Sequence, residues 1–144
     1  PFSYSRFFVP IDWTVRFFDA SSAKAAPPTP DVFAALTAQP PIVTQQVDRL
    51  DYLSSRAMAE GVPVNDVALV AEADAVLPDG EFVLRAISDD GVRVWVDGKL
   101  AIDNWTPHES VVDEAPIRGG RHRLRVEYFE RTGFAELRVD IVKP

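Results

Sequence analysis

Residues 88–105 read Ser88-Asp89-Asp90-Gly91-Val92-Arg93-Val94-Trp95-Val96-Asp97-Gly98-Lys99-Leu100-Ala101-Ile102-Asp103-Asn104-Trp105. Val92, Val94 and Val96 alternate with Arg93 and Trp95, the two-residue period of a β-strand. Asp97-Gly98 supplies the residue types that a type I′ turn demands, because both of its central positions take a positive φ. Lys99 to Ile102 then reads as the returning strand, so the stretch is a tight hairpin. Trp95, set among valines, reads as core on one sheet face. On residue types alone Asp89-Asp90-Gly91 is an ordinary turn, in which Asp accepts main-chain N–H bonds and Gly tolerates a positive φ.

The same period runs outward from the hairpin. Leu124, Val126 and Tyr128 face one way, with Arg123, Arg125 and Glu127 opposite. Beyond Thr132-Gly133, Ala135, Leu137, Val139 and Ile141 alternate with Glu136, Arg138 and Asp140. These two amphipathic runs are expected to pair as a second hairpin with one wet face. Toward the N-terminus, Trp13 to Phe18, Ile42 to Asp48, Val67 to Ala73 and Glu81 to Ile87 read as strands, the last two separated by a turn at Asp79-Gly80. Ala20 to Pro30 is too rich in Pro and Ser for a regular element. Asp31 stands as the N-cap of a short helix over Val32 to Ala38, which Pro40 and Pro41 end. Tyr52 to Ala59 is open between helix and loop. Short strands between turn signals predict an all-β antiparallel sandwich or jelly-roll-like barrel with at most one or two short helices.

The 144 residues suit one domain, placed over residues 12–144, with 1–11 as an N-terminal strand or tail carrying Phe2, Tyr4, Phe7 and Phe8. A chain of this size buries enough surface to fold without a metal or disulfide. There is no cysteine, which removes disulfides and thiolate chemistry. A formal net charge of −7 disfavours binding to a phosphate backbone, so no nucleic-acid partner is expected. No apolar run approaches the length of about 20 residues that a membrane-spanning helix needs.

Residues Ser88 to Trp105 resemble the signature of the protective-antigen-type (PA-fourteen) domain family. Arg125-Val126-Glu127-Tyr128-Phe129-Glu130 through Gly133-Phe134-Ala135-Glu136-Leu137 is similar to a second family run, and Val15 to Asp19 to its opening strand. The family includes part of a bacterial toxin's protective antigen, insertions in β-glucosidases, and the sugar-binding heads of yeast flocculins. The resemblance implies a β-sandwich and a lectin-like, non-catalytic accessory module of a multidomain extracellular or envelope protein, bacterial by this expectation, with a glycan or cell-wall polysaccharide as partner. In the lectin members two adjacent aspartates joined by a cis peptide bind calcium; the matching pair here is Asp89 and Asp90. Calcium is a hard cation that takes six to eight oxygens.

The sequence departs from the lectin pattern at one position. The second loop of those members donates a side-chain oxygen from Asn or Gln, and Arg131 aligns there. Arg has donors only and cannot ligate calcium. Three readings stand: Arg131 replaces the ion by pairing with Asp89 or Asp90, Arg131 turns to solvent with no ion, or calcium binds. With no cofactor as the leading expectation, a metal role for Asp89 and Asp90 holds only under the third.

Trp105 is either a sugar platform, being broad and amphipathic, or a ring packed over the sandwich edge. The ligand-binding candidates are therefore Asp89, Asp90, Arg131 and Trp105. His108-Glu109 lacks a third convergent metal ligand, and His122 reads as an exposed strand residue. No nucleophile elbow or phosphate loop appears, so no catalytic residue is assigned. Two functions follow, a carbohydrate-binding module or a structural and protein-interaction module.

Overall fold

The computed structural model describes residues 9–143; Phe2, Tyr4, Phe7 and Phe8 of the expected N-terminal segment lie outside them. Eight strands and one helix make up the fold: β1 (Trp13–Asp19), α1 (Pro30–Thr37), β2 (Val43–Val47), β3 (Leu50–Ser54), β4 (Val67–Asp89), β5 (Val92–Val96), β6 (Lys99–Asn104), β7 (Val111–Glu130) and β8 (Ala135–Val142). All pairings are antiparallel. One layer runs β2-β1-β4-β7-β5-β6; β8 pairs with β4 and β3 in the other.

The two long strands belong to both layers. The first half of β4 pairs with β1, and its second half pairs with β8. Along its whole length β4 pairs with β7, with one register shift between Leu77 and Glu81. Asp79-Gly80 is therefore a corner within one strand rather than a turn between two. Opposite it lies Gly119, where a Cβ would come 2.2 Å from the Pro78 carbonyl oxygen, so only glycine fits.

Alternation sets the core. Trp13, Val15 and Phe17 of β1, Leu69 of β4, Val92 and Val94 of β5, Leu124, Val126 and Tyr128 of β7, and Leu137 and Ile141 of β8 are all buried in one cluster between the layers. A second, smaller cluster lies on the outer face of the first layer, where Phe33 of α1 packs against Phe18, Ala68, Val70 and Phe129. The helix is capped by Thr29, whose hydroxyl accepts from the Val32 N–H, and Pro30 opens it. The cap is thus Thr29 and not Asp31, because Pro at the first helical position loses no hydrogen bond. Asp31 instead sits in the first turn, where its charge complements the helix dipole.

The hairpin of β5 and β6 forms as expected, with φ of 53° at Asp97 and 81° at Gly98. Three further expectations are corrected. Leu50 to Ser54 is a strand, paired with β8, so the Tyr52 region is neither helix nor loop at its start. The last two strands do not form a hairpin: β7 pairs with β4 and β5, and β8 with β3 and β4. Their apolar faces meet the same core from opposite layers. Trp95 is half-buried beside Arg93 and lies in neither core cluster. It follows Val94, which faces inward, so the pleat turns its indole outward despite its size.

Candidate functional site

Because β4 and β7 arch over the corner, both ends of β4 return to the same end of the sandwich. The Asp66 N–H, just before β4, donates to the Arg131 carbonyl at 2.9 Å; the Arg131 N–H meets Oδ2 of Asp90, just after β4, at 3.3 Å. Five connections gather there: the β1–α1 loop, the β3–β4 loop, the Asp89-Asp90 turn, the β6–β7 loop and the β7–β8 loop.

The Asp89-Asp90 peptide is cis, as the resemblance implies. The Asp89 carbonyl accepts a hydrogen bond from the Tyr128 hydroxyl. The oxygens of Asp90 meet main-chain donors, Oδ1 the His108 N–H at 3.4 Å and Oδ2 the Arg131 N–H. Burial raises the Asp89 carboxyl above its ordinary range, and the adjacent Asp90 charge raises it further. Glu130, at the end of β7, is pushed up to about 7 by burial first and then by the charges of Asp90, Asp89 and Asp66. Burial, with Glu130 next, also holds the Tyr128 phenol strongly in its neutral form.

Arg131 does not pair with Asp89 or Asp90. Its Nε lies 3.4 Å from Oδ1 of Asp66, and both terminal nitrogens reach the Ala23 carbonyl at 3.4 Å. Only its main-chain N–H serves Asp90. Asp66 has φ 56° and escaped the sequence reading, as did Glu130. Asp66 sits in an irregular loop outside any motif, and Glu130 lies in the second family run at the end of β7, where no local pattern marks a glutamate as buried. Phe134 on the same loop is 45% exposed.

Trp105 is engaged on several sides. Its N–H donates to the Pro28 carbonyl at 2.7 Å, Phe33 meets it edge-on with centroids 5.0 Å apart, and the Arg93 guanidinium lies 4.0 Å over its ring. Arg93 is held in turn by Glu127 at 2.8 Å. The indole thus fastens the β6–β7 loop to the chain entering α1. Beside it, Pro27, Pro107 and Phe129 form apolar walls of a cleft of about 240 Å³ whose polar groups come from Asp90, Arg131 and Thr132. His108 remains without metal-binding company, and His122 is bound between Asp97 Oδ2 and the Arg118 carbonyl at 2.6 and 2.7 Å.

The donor set departs from that of the calcium-binding members. The carboxylate oxygens of Asp90 meet main-chain N–H groups, where an ion would take them as ligands. The aligned loop position carries a guanidinium. Among the described residues no three His, Asp or Glu side chains gather as a metal-binding group.

The profile of the PA14 domain matches residues 37–142. The chain belongs to the PA14 domain family. Among solved structures, this PA14 domain is similar to a PA14 sugar-binding domain from an RTX adhesin, with TM-score 0.70, 15% identity, 92% of this chain and 89% of that one covered. It is also similar to the epithelial adhesin 9 A domain from Candida glabrata in complex with Galb1-3GlcNAc, with TM-score 0.70, 8% identity and 94% and 83% coverage. At such identities the likeness shows the fold. A curated relative, the anti-sigma-I factor RsgI3 of Acetivibrio thermocellus, is 30% identical over 61 residues, 40% of this chain. The chain spans about 10% of that relative's length. No helix among the described residues is long and apolar enough to cross a membrane.

Proposed function

We propose that this PA14 domain is a non-catalytic carbohydrate-binding module of a larger extracellular or envelope protein, and that the glycan sits at the loop end formed around Asp89, Asp90 and Arg131. The observation that carries the reading is the cleft of about 240 Å³, in which apolar walls of Pro27, Pro107 and Phe129 flank Asp90, Arg131 and Thr132. A pyranose presents apolar C–H faces and a rim of hydroxyls, and such a pairing of walls and convergent polar groups suits it. Trp105 acts from behind, holding Pro28 and through it the Pro27 wall. Phe134 adds an exposed aromatic on the neighbouring loop.

Two of the similar structures, one a sugar-binding PA14 domain and one in complex with Galb1-3GlcNAc, support this choice of ligand class. The test is a glycan array probed with the wild type and Asp90→Ala. Binding to a defined set of saccharides, reduced at least tenfold by the substitution, is the expected result. Binding that survives Asp90→Ala moves the site elsewhere on the domain.

A second reading is a structural or protein-interaction module. It is favoured by the internal engagement of Trp105 and of the Arg131 side chain, which leaves neither group free of protein partners. An array with no retained glycan supports that reading.

A further inference from the structure

We infer that Arg131 and Asp66 cross-link the loop end from within, in the place of a bound cation, and that this PA14 domain is ordered without calcium. The inference concerns the same loops as the proposed function, and rests on that reading only for what the loops then hold.

Arg131 reaches three separate connections at once. Its main-chain N–H meets Asp90 of the β4–β5 turn at 3.3 Å. Its carbonyl accepts from the Asp66 N–H at 2.9 Å, and its Nε ion-pairs with the Asp66 carboxylate at 3.4 Å. Its two terminal nitrogens share the Ala23 carbonyl in the β1–α1 loop, each at 3.4 Å. Asp66 closes the ring, since its own carbonyl accepts from the Ala20 N–H at 2.8 Å. The side-chain contacts are long, and their effect lies in their number and in the planar fork of the guanidinium, which reaches several acceptors at once.

An oxygen-ligated ion draws loops together by collecting carboxylates and carbonyls around one positive charge. Here the guanidinium collects one carboxylate and one carbonyl around its own. It supplies a permanent positive charge beside Asp66, one of the three aspartates whose charges raise the Glu130 carboxyl. With the three connections already joined by Arg131, no second cation is needed to hold them. Arg131 and Asp66 are positioning residues in this scheme, because each acts through the loops it joins.

Thermal melts in EDTA and in millimolar calcium, with calorimetric titration of calcium alone, test the inference on the wild type, Arg131→Asn and Asp66→Asn. The wild type is expected to melt at the same temperature in both buffers and to show no calcium heat. Arg131→Asn removes the cross-link and puts an oxygen donor in its place. It is expected to melt several degrees lower in EDTA and to regain part of that in calcium, since a ligand that binds only the folded state raises its midpoint. Asp66→Asn is expected to melt lower in both buffers with no calcium response. A wild type stabilised by calcium, or an Asp66→Asn variant as stable as the wild type, overturns the inference. No sugar enters these measurements, so they fail or succeed independently of the glycan array.

Discussion

Glu130 sits at the end of β7 with 1% of its surface exposed, and its Oε1 accepts no hydrogen bond among the described residues. Burial and the neighbouring aspartates push its carboxyl up to about 7 from an ordinary 4.5. Between those values the folded chain holds a proton that the unfolded chain has released. Stability contributed by this group is therefore present below about pH 4.5 and lost as pH rises through about 7. Asp89, also raised, acts in the same direction. Glu130→Gln keeps the shape and removes the buried charge, so at pH 8 the variant should melt a few degrees above the wild type, and the two should converge near pH 4.5. Melting curves across that range check this; a variant less stable than the wild type at pH 8 means that the ionised carboxylate has a partner it needs.

At the scale of the element, the corner of β4 and β7 decides whether two long strands can serve both layers. Gly119 lets the two backbones touch, and any side chain there runs into the Pro78 carbonyl. Gly119→Ala is expected to cost about 1–3 kcal/mol, the usual range for overpacking a tight site, read from urea denaturation. Gly98 has a different requirement: it takes φ 81° in the β5–β6 turn, where added bulk has room but the backbone disfavours it. The β5–β6 hairpin was legible because its turn chemistry is local. The pairing of β8 was not, because Leu137 and Val139 would bury equally well on either sheet, and what selects β3 and β4 is the arch of a strand that begins some 70 residues earlier.

Across the whole molecule, the small core under α1 links the sheet to the loop end. Phe33 packs on Phe18 and Phe129 and meets Trp105, which in turn holds Pro28. Phe33→Ala should cost about 3–5 kcal/mol, as buried aromatic truncations do, and should weaken glycan retention on the array, because Phe129, on which Phe33 packs, is a wall of the cleft. Unchanged retention at undiminished stability would mean that the helix rides on the sheet without steering the loops. The outer face beside this core carries alternating charges, with Arg16 on Glu72, Arg125 on both Glu72 and Glu127, and Arg93 on Glu127. That network makes the face a salt-paired surface, of modest stabilising weight where exposed.

Local pattern alone showed which residues of β8 and of the second half of β7 face the core, where the β5–β6 hairpin turns, and that Asp89-Asp90 stands in a turn. These follow from the period of the pleat and from the φ demands of Asp and Gly, which act over a few residues. Tertiary packing decided that Thr29 caps the helix, that the second half of β7 lies across the core from β8, and that the Arg131 side chain turns toward Asp66 rather than Asp90. A side chain's partner depends on which loops the arching strands bring together. Asp66 and Arg131 lie 65 positions apart in sequence yet meet because β4 and β7 pair from end to end, and no local pattern carries that information.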